Sequence, residues 1–339
     1  MKKKILKSKL GFKRQSGVFA CLVLTSLGVA TFAKTASAGD SVANKYGKTD
    51  PEKASNWCVY VAKSLKILQW KVDPCKDIQW KIGGDSVEGR PLVYGEFGNP
   101  KAVNNTTLIL AMVHGDEITP FYLALELAHW AIEHQTELAD SRIIVAPLVN
   151  PDGFFHRPRT RINARGVDVN RNFPTQDWLA KAQETWKKKY HSDPRRFPGS
   201  QSNSEPETVF QQQLIKQVKP KKILSIHSPL NMLDYDGPTH LTLAKFPEEY
   251  VKECLRLRSR VKAISAGFFP GSLGNFAGQE LGIPTLTLEL PTSNPRKGPE
   301  YWEQFKPGIK TMIEFKVPDY ASHSVQPKTQ TSKLTSQGG

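Results

Sequence analysis

The sequence predicts an α/β protein, a mixed, mostly parallel twisted sheet with helices on both faces. Three observations carry that prediction. The apolar runs TTLILAMV (106–113), SRIIVAPLV (141–149), KKILSIH (221–227) and TLTLEL (285–290) have strand length and no polar alternation, as strands buried on both faces do. Segments of helical spacing fall between them. With 339 residues, 39% of them hydrophobic, the chain can bury the core that such a sheet needs.

Residues 1–38 come first. A basic stretch (MKKKILKSKLGFKR) leads into an apolar one (GVFACLVLTSLGVATFA) and then the small residues TASA. That is the order of a secretory signal peptide, with cleavage expected after Ala38 and export to the periplasm or the extracellular space. No run reaches the ~18–20 uninterrupted apolar residues of a membrane span, so none is expected after cleavage. Residues 39–76 read as a leader with one helical stretch near 54–69. Cys58 and Cys75 flank one short segment and are expected to pair in an exported chain, leaving Cys254 buried. The absence of a CxxC pair argues against a cysteine zinc site.

The main domain is expected over 77–318. After the strand at 106–113 comes TPFYLALELAHWAIEH (119–134), a helix with Thr119 as its N-cap and Pro120 at its first position. The polar segment 175–203, rich in Lys, Arg and Gln, reads as a surface excursion. Further helices are expected at 205–217, 247–265 and 299–315. The polar tail 319–339 is expected to be disordered.

The formal charge of +15 is partly the signal's doing. Without residues 1–38 the chain has 39 basic and 32 acidic residues, a net +7. A mildly basic exported domain suits an anionic polymer such as cell wall. No basic stripe interleaved with aromatics points to nucleic acid. A monomer is expected.

Ligands of open α/β sheets bind beyond the carboxyl ends of the strands. His114, Asn150, His227 and Glu289 each sit at or just past such an end. A catalytic zinc takes three ligands from His, Asp or Glu and keeps one position for water. His114 and Glu117 supply two from one turn, and His227 a third. A lone histidine is more often a satisfied polar residue than a ligand, and His129, His134, His156, His191, His240 and His323 lack this placement. In NPDGFFHRPRTRINARGVDVNRNFP (150–174), Arg171 offers a planar fork for a carboxylate and Arg161 a donor for a developing oxyanion. Asp168 suits the outer nitrogen of a zinc-bound histidine. Glu289 is a single acid in an apolar strand, costly unless paired or functional. Asp116, inside HGDE, has no evident role.

HGDE, NPDG and above all GVDVNRNF, with His227 and Glu289, resemble the zinc metallocarboxypeptidase family over roughly 77–316. The details HGDE, RINARGVD, SEPET (204–208), SIHSPL (225–230) and PGSLGNF before Glu289 look most like its murein peptide amidase branch. The resemblance implies one Zn²⁺ per chain on His114, Glu117 and His227, with Asp168 behind the first histidine. It implies Arg161 as the oxyanion arginine, with Arg159 the next match, Asn170 and Arg171 as the grip on a terminal carboxylate, and Glu289 as general base. One departure stands out: residues 260–284 hold Phe268, Phe269 and Phe276 but no tyrosine, where many family members place a substrate-capping phenol.

The resemblance therefore implies a zinc hydrolase of peptidoglycan stem peptides, cutting the γ-D-glutamyl–diaminopimelate bond. The alternatives are a carboxypeptidase acting on protein C-termini, one releasing terminal D-Ala, and, from another class, a wall-binding module that has lost catalysis.

Overall fold

The structure is a computed structural model that describes residues 50–238, 246–255 and 269–318. The expected signal peptide and tail, together with His240, His323, Phe268 and the side chain of Cys254, lie outside the described residues.

Seven strands, β1 (Lys81–Asp85), β2 (Pro91–Gly98), β3 (Thr106–Ala111), β4 (Arg142–Ala146), β5 (Lys222–His227), β6 (Met232–Asp236) and β7 (Thr285–Glu289), form one sheet in the order β1-β2-β4-β3-β5-β7-β6. The central strands β4, β3, β5 and β7 are parallel. On one side β2 and β1 join antiparallel, and on the other β6 does. The α/β class and the mixed, mostly parallel sheet agree with the sequence reading.

The period-2 alternation of a strand divides the core in two. In β3, Ile109 and Ala111 face one layer and Leu108 and Leu110 the other. The first layer includes side chains of α1 (Pro51–Ile67), α2 (Thr119–Glu133) and α7 (Gly298–Glu314). The second includes Phe210, Leu214 and Val218 of α5 (Pro206–Val218). Each fully buried large side chain contributes roughly 1.5–3 kcal/mol, so the central strands hold the sheet's register firmly.

Helix α1, in the leader, buries Trp57, Val61 and Leu65 in the first layer, where Trp57 meets Trp80 edge-on at 5.5 Å. Cys58 and Cys75 are joined by a disulfide. Closing a loop of that size stabilises the fold by about 3 kcal/mol on chain-entropy grounds.

Three findings correct the sequence reading. Strands β1, β2 and β6 were not expected; they lie at or near the sheet edges, where KIGGD and MLDYD lack a continuous apolar run. The excursion 175–203 is partly helical: α4 (Trp178–Lys188) buries only Trp178 and Ala182, a stripe too narrow to show in a polar sequence. Thr119 does not cap α2, whose N-cap is Ile118; the Thr119 hydroxyl instead donates to Thr292 O at 2.8 Å. The helix expected at 247–265 is described as α6 (Glu248–Leu255).

Candidate metal centre and substrate cleft

The parallel strands deliver the site residues to their carboxyl edge. Beyond β3 the chain turns through Met112, in the left-handed region at φ 55°, and presents His114 and Glu117 on one tight turn. Gly115 lies so close to the turn opened by Asn150 that a Cβ on it would stand 2.2 Å from the Gly153 carbonyl carbon. Asn150 caps the short helix α3 (Pro151–Phe155) by accepting from Gly153 N at 2.9 Å. Its amide donates to Arg161 O at 3.0 Å. Asn150 therefore sits at the rim as a brace for the loop that carries Arg161.

His114, Glu117 and His227 converge and are buried. Glu117 Oε1 is 2.7 Å from His114 Nδ1, Glu117 Oε2 is 2.9 Å from His227 Nδ1, and the two Nδ1 atoms are 3.2 Å apart. Ligand atoms around a tetrahedral zinc, with bonds of ~2.0–2.1 Å, lie roughly 3.3 Å from one another. The two Nδ1 atoms have that spacing, and the carboxylate, which closes to hydrogen-bond distance of both rings, offers the third ligand atom. The outer nitrogens are engaged as a metal site needs: His114 Nε2 lies 3.2 Å from Asp168 Oδ1, and His227 Nε2 lies 2.9 Å from Ser225 Oγ. Burial pushes the Glu117 carboxyl up, but the facing imidazoles outweigh it and hold the group well below the usual carboxylate range.

Asp168 is fully buried. It accepts from Arg161 Nε at 2.9 Å and from Asn170 N at 3.0 Å. Burial alone would raise its pKa; the Arg161 charge, with His114, wins and keeps it ionised. Arg161 also donates to Glu117 Oε1 at 3.3 Å. Arg159, the next match for the oxyanion arginine, instead stacks over the Phe154 ring at 4.9 Å and does not line the cleft.

The cleft beside the cluster has a volume of about 550 Å³. Every predicted site residue except Asp168, which lies behind, lines it. Glu289 is the last residue of β7 and accepts from Leu230 N at 3.3 Å. Burial raises its pKa, and the charge of Glu117 adds to this against the pull of His227. Arg171 stacks over Phe269 at 4.5 Å, and its Nε is buried without a hydrogen-bond partner among the described residues. Asn170 Oδ1 accepts from Leu273 N at 2.8 Å, which leaves the amide nitrogen without a partner among the described residues.

Sequence reasoning missed several cleft residues. Met232, Asp234 and Asp236 alternate along β6 and all line the cleft, a period-2 signal that recognition of the strand would have exposed. Asp236 reaches under the π-helical turn Gly274–Glu280, where a Cβ on Gly274 would stand 1.9 Å from its Oδ2. Burial, with the charge of Asp234, pushes Asp236 up to about 7. From the excursion come Tyr190, Arg195 and Arg196. Arg195 Nη2 donates to Asp116 Oδ2 at 2.8 Å, which gives Asp116 its partner. Tyr190 stacks with Phe269 at 6.3 Å, so a phenol does reach the cleft, from the excursion.

Residues 74–319 match the family model of zinc carboxypeptidase. The chain belongs to that family. The zinc carboxypeptidases are hydrolases that use zinc, and the His114–Glu117–His227 cluster is able to hold it. Among similar proteins is murein peptide amidase A of Escherichia coli K12, 33% identical over 213 residues, or 61% of this chain and 79% of the relative. The crystal structure of murein-tripeptide amidase from Escherichia coli O157 matches with TM-score 0.50 at 27% identity, covering 70% of this chain and 92% of that one. Carboxypeptidase A of Helicoverpa armigera shares the fold, with TM-score 0.56 at 20% identity over 78% of this chain and 72% of its own.

Proposed function

We propose that this zinc carboxypeptidase family member is an exported amidase of peptidoglycan stem peptides and hydrolyses the γ-D-glutamyl–diaminopimelate bond. One observation carries the reading: a single cleft is lined both by Arg171 and Asn170, suited to a carboxylate, and by the acids Asp234 and Asp236, suited to an ammonium group. Diaminopimelate brings both groups to the leaving side of that bond. The similarity to murein peptide amidases supports the same choice. The signal-like order of residues 1–38 and the Cys58–Cys75 disulfide support export, since disulfides persist in oxidising compartments.

In this reading His114, Glu117 and His227 would hold zinc, which when bound would supply a Lewis acid for the scissile carbonyl and for a water whose pKa it would lower towards ~7. Glu289, with its raised pKa, takes the proton of the attacking water and passes it to the departing amine. Arg161 donates to the carbonyl oxygen as that oxygen becomes negative. Asp168 fixes both Arg161 and the ring of His114. Arg171 and Asn170 hold the α-carboxylate of the leaving residue, so only a terminal residue fits, and Asp236 receives its distal ammonium.

Digestion of purified tripeptide muropeptide, with the products weighed by mass spectrometry, tests this. Free diaminopimelate and the shortened peptide are expected; intact tripeptide after prolonged incubation with zinc-loaded enzyme overturns it. The presence of Arg171 and Asp236 in one cleft also favours a second reading, removal of C-terminal Lys or Arg from peptides, which chromogenic peptides ending in those residues would reveal.

A further inference from the structure

At the amino ends of the parallel strands, the edge opposite the metal cluster, lies a second and larger concavity of about 1020 Å³. It is walled by the residues that lead into β3 and β5, by the first residue of β4, and by the end of α5. Its charged lining residues are Arg142, Lys216, Lys219 and Lys221, with no Asp or Glu. The Arg142 charge is met by Glu96, with Nε 2.7 Å from Oε1. Lys216 and Lys219 are exposed and have no carboxylate partner among the described residues. Cations near a helix C-terminus answer its partial negative charge, and Lys216 in the last turn of α5 and Lys219 at its C-cap are placed in that way. That local effect does not account for a concavity without a single acid.

The rest of the lining is as particular as its charge. Carboxamides of asparagine and glutamine outnumber the lysines, and Gln213 Oε1 is a buried acceptor with no hydrogen-bond partner among the described residues. Phe276, half-buried and stacked on Phe173 at 5.4 Å, adds an aromatic surface. Carboxamides suit hydroxyl and acetamido groups, lysines suit carboxylates, and an aromatic ring suits the apolar face of a sugar. A few convergent polar groups on an apolar wall are the usual composition of a ligand site.

We infer that this groove binds a carboxylated amino-sugar polymer, the glycan of the wall whose peptides the opposite rim cleaves; the choice of polymer rests on the proposed wall substrate. The enzyme then grips the glycan on one edge of its sheet and hydrolyses peptide at the other, and the two activities are separable.

Co-sedimentation with agarose beads carrying glycan strands stripped of their stem peptides and coupled through their reducing ends, so that their lactyl carboxylates are free, tests this. The full chain pellets with them. The double variant Lys216→Glu, Lys219→Glu binds about tenfold more weakly, the scale expected for reversing two screened charges, and Lys216→Arg, Lys219→Arg retains binding. Zinc content and melting temperature report that the variants are folded whether or not tripeptide is a substrate. Unchanged hydrolysis of free tripeptide by the glutamate variant shows that the two edges are independent. Equal pelleting of wild type and the glutamate variant, no pelleting of wild type, or equal capture on immobilised polyaspartate overturns the inference. Glycan binding without tripeptide cleavage sinks the proposed substrate and leaves the groove standing.

Discussion

His227 and Glu289 are register partners at the carboxyl ends of β5 and β7. The sheet itself therefore sets the spacing between a histidine proposed to hold the metal and the carboxylate proposed as base. A backbone ladder holds such a distance more tightly than a loop does, which is what acid–base chemistry at ångström tolerance needs. Replacing Glu289 by Gln keeps the shape and removes the base. Turnover is expected to fall by ~10²–10⁴-fold or more, with one zinc per chain retained. Steady-state kinetics beside metal analysis checks this; loss of zinc along with activity would show that Glu289 serves the metal instead.

Asp168 and Arg161 are coupled, so their variants should separate. Asp168→Asn weakens the support behind His114, and zinc affinity is expected to drop about 10–100-fold. Arg161→Ala leaves the three converging donors in place and is expected to lower kcat by ~10²–10³-fold even at saturating zinc. A metal titration of both variants, with kcat measured at each zinc level, distinguishes the two. Recovery of Arg161→Ala by added zinc contradicts the oxyanion role.

Asp236 carries a pH prediction. Its folded pKa is about 7 against an ordinary 3.8. The folded state thus holds a proton that the unfolded chain has released between those values, so this group's contribution to stability declines as pH rises from 3.8 through 7. Substrate binding runs the other way, because only the ionised acid attracts an ammonium. KM for diaminopimelate peptides is expected to fall as pH rises through 7, and the fall is expected to vanish in Asp236→Asn. The same variant should gain melting temperature relative to wild type at pH above 7. An identical KM profile in the two proteins would remove Asp236 from substrate recognition.

The ion pair of Asp116 with Arg195 ties the excursion to the metal-bearing turn, 79 residues away in sequence. Its side chains are 24% and 52% exposed, so the pair is worth under about 1 kcal/mol to stability. Arg195→Ala is expected to raise KM roughly threefold with kcat and melting temperature nearly unchanged, because the released segment carries Tyr190 and Arg196 to the cleft. The reversed pair, Asp116→Arg with Arg195→Asp, is expected to recover part of the loss. A change in kcat alone would place the effect at the metal instead.

The central strands were legible because burial on both faces forces a continuous apolar run, and their polar terminators His227 and Glu289 stood out against it. The edge strands were not, since one-sided burial leaves an alternation that MLDYD makes with only Leu233 and Tyr235. Asp236 was hidden for that reason: on an unrecognised strand an acid reads as solvent-facing. Asp116 carried no local signal at all, its partner being set by tertiary structure. The Thr119 hydroxyl shows the same limit in small, drawn away from its own helix by a carbonyl beyond β7.

Among the described residues, strand β6 ends the sheet on the side of the cleft. A terminal strand is where a foreign chain adds by backbone pairing, and aspartates turned inward along it are among the devices that prevent such growth. Asp234 and Asp236 stand on that strand and face the cleft. The acids proposed to read the substrate are therefore expected to discourage such growth as well. An enzyme broadened by exchanging them for apolar residues would lose colloidal stability along with its selectivity.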